Sequence, residues 1–251
     1  MEHLISDPQN GWLRLTLNRP QARNALNTAL LADLAAALAH AAQDATCRAV
    51  VLCGAEGNFA AGADIAEIEG KSRAEASTDP RKDLWARIRS FPKPLIAAVD
   101  GFALGGGFEL ALMADLLVLG DTARVGLPET NLGLIPGAGG GQRLLARVGP
   151  ARAARMVLLG EVIDAATAED WGIASHRAPH ALPEAERLAA QVATRAPLAL
   201  QAAKVALVAG AEAALALGAE RAAFEALLDT EDKAIGIAAH RARHRPEFRG
   251  Q

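Results

Sequence analysis

Two glutamates, Glu109 and Glu129, stand in runs where packing alone would not select an ionisable side chain. They lie in GFALGGGFELALMAD (residues 101–115) and GLPETNLGLIPGAGG (residues 126–140). Glu109 follows Gly106 by three residues at the start of an apolar helical pattern, so it shares a face with any backbone N–H that the glycine leaves free. A carboxylate beside an exposed amide suits reactions that pass through an anion: the acid moves a proton while the amide holds the developing charge. The run NFAAGADIAEI (residues 58–68) offers a second place of this kind, because Gly62 permits a tight turn and Asp64 can cap the helix that follows. Two amides from separate loops would make an oxyanion hole, each donor worth on the order of 3 kcal/mol toward an oxyanion-like transition state.

The elements that must hold these residues follow from periodicity. WLRLTLN alternates Leu13, Leu15 and Leu17 against Arg14 and Thr16, and Leu30, Leu34 and Leu38 then recur at helical spacing, which predicts strand followed by helix. The pattern returns as a strand over residues 49–53, a loop through Phe59, a helical piece from Asp64, a strand over residues 95–99 and a helix after Gly106. Roughly three β-then-α turns result. Beyond Gly139 the pattern reads as almost wholly helical and alanine-rich, with breaks expected at Gly149-Pro150, Gly160, Gly172, Pro183 and Pro197. The expected organisation is a core over residues 1–196 and a helical region over residues 197–251.

Composition and motifs exclude several classes. Of 251 residues, 51% are hydrophobic and 22% charged, an ordinary globular balance that allows a sizeable core. A formal net charge of -3 provides no overall cationic field for nucleic acid or anionic lipid; RARHRPEFR near the C-terminus is a local exception. Cys47 and Cys53 bracket a strand pattern that would hold them roughly 20 Å apart, so they read as reduced packing residues. The opening MEHLISDPQNG has no apolar stretch of signal-peptide length, and the most apolar long segment contains Gln201, Lys204 and Glu212. A cytoplasmic chain that does not enter a membrane is expected. Gly105, Gly106 and Gly107 do not satisfy the dinucleotide fingerprint, and no phosphate-loop motif occurs. The histidines show no metal-ligand spacing; His240 and His244 share a helical face without an obvious acidic third ligand and read as surface residues. No serine occupies a nucleophile elbow.

LNRPQARNALN, FAAGADIAEI, ALGGGFELALMAD, GLPETNLGLIPGAGGGQRL and RPEFRG together closely resemble the crotonase, or enoyl-CoA hydratase, superfamily. The resemblance spans nearly the whole chain and implies an α/β fold, a ββα spiral core with a helical C-terminal trimerisation region, forming homotrimers or dimers of trimers. It further implies an acyl-CoA thioester as substrate, with coenzyme A part of the substrate and no other cofactor or metal. The backbone N–H groups of Ala63 and Gly106 would hold the thioester oxygen, and Glu109 and Glu129 would be the catalytic carboxylates. Both carboxylates together favour hydration of a trans-2-enoyl-CoA. An isomerase needs only one, and a noncatalytic acyl-CoA-binding protein has no use for the pair. An RNA-binding role finds little support in the charge balance.

For the CoA moiety, the resemblance points to the chain around Ala22 and Asn24 and to Ala61, Gly62, Asp64 and Ile65, chiefly through backbone groups. Arg243 of a neighbouring subunit is the candidate for the phosphates, a solvated helix face being the alternative reading. Trp85 reads as structural, with an acyl-pocket wall as the alternative. Phe108, where a smaller residue is usual, and Gly141, where threonine is usual, depart from the pattern and bear on pocket shape and loop stiffness. Residues 83–120 most resemble the phenylacetate-catabolic 2,3-dehydroadipyl-CoA hydratase branch. That likeness implies a distal carboxylate on the acyl chain, and Arg81, Lys82 or Arg87 as the cation that meets it.

Overall fold

Alternation within single strands decides which face of the sheet each residue serves. In the strand Val50–Gly54, Val50 and Leu52 point into the main core while Val51 and Cys53 point to a second core on the opposite face. The structure, a computed structural model, describes residues 3–212, 217–244 and 246–247. Its elements run β1 Leu4–Pro8, β2 Leu13–Leu17, α1 Thr28–Gln43, β3 Val50–Gly54, α2 Ala66–Glu69, α3 Arg73–Ser77, α4 Pro80–Arg89, β4 Leu95–Val99, β5 Phe102–Leu104 and α5 Gly106–Leu112. They continue as β6 Leu116–Gly120, β7 Arg124–Gly126, α6 Gly140–Leu158, β8 Val162–Asp164, α7 Ala165–Asp170, β9 His176–Ala178, α8 Ala181–Ala193, α9 Pro197–Glu212, α10 Leu217–Leu227 and α11 Glu231–Ala242.

The larger sheet has the order β1-β2-β3-β4-β6-β9, parallel except for the β1–β2 pair. The smaller sheet has the order β5-β7-β8. Twice the chain leaves the larger sheet and enters the smaller one, from β4 to β5 and from β6 to β7, and a parallel bridge between Ala60 and Ala103 repeats the step after β3. This is the ββα spiral expected from the resemblance. Helix α1 covers the main core with Leu30, Leu34 and Leu38, and α8 covers the opposite sheet face with Ala185 and Leu188. Lys93, buried just before β4, donates from Nζ to the carbonyls of Ala41, Asp44 and Cys47 at 2.7–2.8 Å, tying the end of α1 to the sheet.

Two expectations need correction. The stretch after Gly139 contains β8 and β9, three residues each, which exist through hydrogen-bonded pairing with β7 and β6 and are too short to show a period. Pro183 starts no break, because it lies in the first turn of α8, where its missing N–H costs nothing. At Gly149-Pro150 the expected break is present: Gly149 leaves the helical conformation, with φ 74°, and α6 is two helical pieces joined across that kink. The two cysteines are free and buried, as read. Of the RPEFRG motif, Arg245, Phe248, Arg249 and Gly250 lie outside the described residues. Among the described residues, no helix is long and apolar enough to cross a membrane.

Candidate active site

Helix α5 is buried along its entire length, and its N-terminus opens where the chain leaves β5. Gly105 donates its N–H to Gly126 O at 2.9 Å, so the next amide, that of Gly106, begins the helix with no acceptor one turn back. The loop after β3 brings Ala63 to the same point. Leu26 N–H donates to Gly62 O at 2.8 Å and Asp64 N–H to Leu26 O at 3.0 Å, a parallel bridge that occupies the groups on either side of Ala63 and turns the Ala63 amide away. An ideal Cβ on Gly106 would lie 3.4 Å from Ala63 N, so the two amides are neighbours. Among the described residues, no main-chain carbonyl accepts from either. The approach depends on Gly107, where a Cβ would fall 2.2 Å from Ala60 O.

One turn into α5, Glu109 is 5% exposed, and its Oε1 accepts from the amides of Ala138 and Gly140, both at 2.8 Å. Burial pushes the Glu109 carboxyl above its ordinary range, with the two amides and the Arg143 guanidinium pulling the other way. Arg143 donates to Ala138 O at 3.0 Å and so steadies the strand of backbone that holds the carboxylate. At the far end of α5, Arg147 donates to Leu112 O and Ala114 O at 3.0 and 3.3 Å, and burial lowers its guanidinium pKa to about 10.

Glu129 opens a single 3-10 turn, Glu129–Leu132, with Oε1 3.1 Å from where a Gly105 Cβ would stand and with Oε2 buried. The C-terminal helix α11 fixes that turn. A Cβ on Gly236 of α11 would lie 2.6 Å from the Leu132 carbonyl carbon, and Lys233 reaches over to the carbonyls of Glu69 and Lys71 at 3.1 and 3.2 Å. Helix α11 thus packs directly on the turn that carries Glu129.

A cavity of about 290 Å³ is lined by Ala63, Gly106, Glu109 and Glu129 together. Over residues 7–251 the chain matches the enoyl-CoA hydratase/isomerase family. The chain belongs to that family. It is 49% identical to the 2,3-dehydroadipyl-CoA hydratase of Escherichia coli (strain K12), with all of both chains covered. It is 43% identical to a probable enoyl-CoA hydratase of Rhizobium meliloti, covering 99% of this chain and 98% of the other. Among solved structures it superposes on an enoyl-CoA hydratase/isomerase from Pseudoalteromonas atlantica with a TM-score of 0.89 at 29% identity, covering 98% of this chain and 100% of that one.

In this hydratase/isomerase, Ala61, Gly62 and Ile65 also line the cavity, as does Trp85. Ala22, Asn24 and Asp64 do not. The Asn24 side chain is consumed inside the fold: Oδ1 accepts from Arg19 N–H at 2.9 Å and Nδ2 donates to the carbonyls of Ala55 and Asn58 at 2.9 and 2.7 Å. Asp64 accepts from Arg19 at 3.0 Å and from the Ala66 amide at 3.2 Å, which makes it a brace for the loop. Arg243 ends α11 in the left-handed conformation, exposed and outside the cavity of its own chain. Of the three proposed cations, only Arg81 reaches the cavity; Lys82 pairs with Glu225 and Arg87 is exposed. Phe108 is wholly buried in the main core, so its size bears on packing behind α5 and leaves the pocket wall untouched. His240, read as a surface residue, is exposed but also lines the cavity. Arg221 and Phe224 on α10 are wall residues that sequence reasoning missed, since nothing local ties that helix to the loop it covers.

Proposed function

We propose that this family member is an enoyl-CoA hydratase, adding water across the C2=C3 bond of trans-2-enoyl-CoA thioesters, with 2,3-dehydroadipyl-CoA as its substrate. One observation carries the reading: two carboxylates and two amides without main-chain acceptors line one small cavity, all the groups that hydration through an enolate requires. The curated relative named for that substrate, at 49% identity over the whole chain, supports the choice of acyl group.

The thioester oxygen accepts from Ala63 N–H and Gly106 N–H. Glu109 Oε1 is committed to two amides, which leaves Oε2 to hold the attacking water. Burial raises the Glu109 pKa and two carboxyl groups in one cavity oppose each other's ionisation, so on this reading the pair shares one proton. Water adds its oxygen to C3, the negative charge passes to the thioester oxygen, Glu129 gives a proton to C2, and the proton lost by the water refills the pair. The sum is one water added and no proton gained or lost by the enzyme, with no cofactor besides the CoA of the substrate. The CoA portion runs along residues 61–65 and the backbone near Ala22 and Asn24, with Arg243 of a neighbouring subunit near its phosphates. The enzyme is cytoplasmic and assembles as a trimer or a dimer of trimers, for which exposed Leu158, Leu159, Leu198 and Leu207 offer apolar surface.

The test is loss of the enoyl-thioester absorbance with 2,3-dehydroadipyl-CoA and with crotonyl-CoA. Glu129→Gln should abolish turnover while retaining CoA-ester binding. Silence of the wild type with both esters, or full activity in the variant, would overturn the assignment.

A further inference from the structure

Arg81 is 7% exposed, yet its guanidinium is poorly satisfied. Its two partners, Glu67 Oε2 and Leu26 O, stand at 3.3 Å, and each already has a shorter donor. Glu67 takes the Thr28 amide at 2.9–3.0 Å and the Thr28 hydroxyl at 2.7 Å, and Leu26 O takes the Asp64 amide at 3.0 Å. Among the described residues, no other acceptor meets the remaining guanidinium N–H groups, although a buried guanidinium ordinarily fills its five donors. The side chain lines the cavity that the acyl chain would fill.

A second guanidinium lines the same cavity. Arg221 lies 5.0 Å above the Phe224 ring and donates Nε–H to Glu225, an acid it shares with Lys82. Among the described residues, its other hydrogen bond is long, 3.5 Å to Ala76 O. Asp79, the acid on this wall, is committed to Lys71 and to the Arg81 amide. Burial depresses the Arg81 guanidinium pKa; the Glu67 and Asp79 carboxylates pull it back up, and the Arg221 charge adds to the depression, so the two guanidinium groups sense each other across this wall.

We infer that Arg81 and Arg221 form a clamp for a carboxylate at the far end of the acyl chain. The inference rests on the hydratase reading above and names its specificity determinant. Reach is consistent with it: the Leu26 carbonyl joins Arg81 to the Asp64 amide, one peptide unit from the Ala63 amide that would hold the thioester oxygen. A six-carbon diacid chain has that short a span to cross. The carboxylate would satisfy the open N–H groups of Arg81 with charge-assisted bonds and neutralise the repulsion between the two cations.

The test compares kcat/KM for the CoA thioesters of hex-2-enedioic acid and of hex-2-enoic acid, which differ only in the terminal carboxylate, in the wild type and in Arg221→Met, Arg81→Met and Arg81→Lys. The wild type should prefer the diacid ester. The ratio of diacid to monoacid kcat/KM should fall about a hundredfold in Arg221→Met and Arg81→Met, mainly through KM, and recover in part in Arg81→Lys. Arg221 is partly exposed, so its variant keeps the test valid if Arg81→Met does not fold. An unchanged ratio in the variants would overturn the clamp, as would a wild type that hydrates both esters equally, and the hydratase reading would survive either result. A wild type that hydrates neither ester would overturn that reading itself.

Discussion

The Gly140 amide donates to Glu109 Oε1 at 2.8 Å from so near that a Cβ on Gly140 would stand 2.5 Å from Glu109 Cγ. The residue that orients the carboxylate therefore has to lack a side chain. Gly140→Ala should push the Glu109 side chain aside without unfolding the protein, and should cut kcat by about a hundredfold, the usual penalty for a misplacement of about 1 Å at a reacting group. Steady-state kinetics beside a thermal melt would check this, and an unchanged kcat would contradict it.

Glu109→Gln should separate activity from stability. A glutamine oxygen can still accept both amides, but the group can no longer exchange a proton, so kcat should fall by about 10²–10⁴-fold. The stability effect has the opposite sign. Because burial raises the folded-state pKa of Glu109 above 4.5, the folded protein binds the proton more tightly than the unfolded chain. The stability associated with the neutral carboxyl is complete below pH 4.5 and is lost as pH rises through the folded value. The Tm of Glu109→Gln relative to the wild type should therefore increase with pH, which a series of melts from mildly acidic to mildly alkaline buffer would reveal.

Lys93 predicts a purely structural loss. Replacing it with methionine keeps the apolar stem but strands three carbonyls at the end of α1, and should destabilise the protein by about 3 kcal/mol. Denaturant titration reads the loss directly. Below the shifted transition, KM should match the wild type, since Lys93 lies outside the cavity.

Asn24 should affect both properties. Its side chain joins the turn at Arg19 to the loop carrying Asn58, and Arg23 O takes the Ala61 amide at 3.0 Å, two residues before Ala63. Asn24→Ala should cost about 2–3 kcal/mol of stability and lower kcat as the Ala63 amide loses its fixed position. A stability loss with kcat intact would confine Asn24 to the fold.

The candidate groups for the chemistry were legible in local sequence patterns. A carboxylate one helical turn past a glycine, a second carboxylate after Pro128 and a tight turn before Asp64 are local patterns, and helical and strand periods placed β2, β3, β4, α1 and α5 because their apolar faces repeat within a few residues. What closes the cavity depends on contacts between elements far apart in the chain. The short strands β8 and β9 exist through pairing with distant neighbours, α11 holds the Glu129 turn through packing across about a hundred residues, and Arg221 lines the same cavity as Arg81 because α10 packs against α3. Local periodicity reports which face of an element is apolar. It does not report which other element will cover that face, and the wall around Arg81 and Arg221 is made of such coverings.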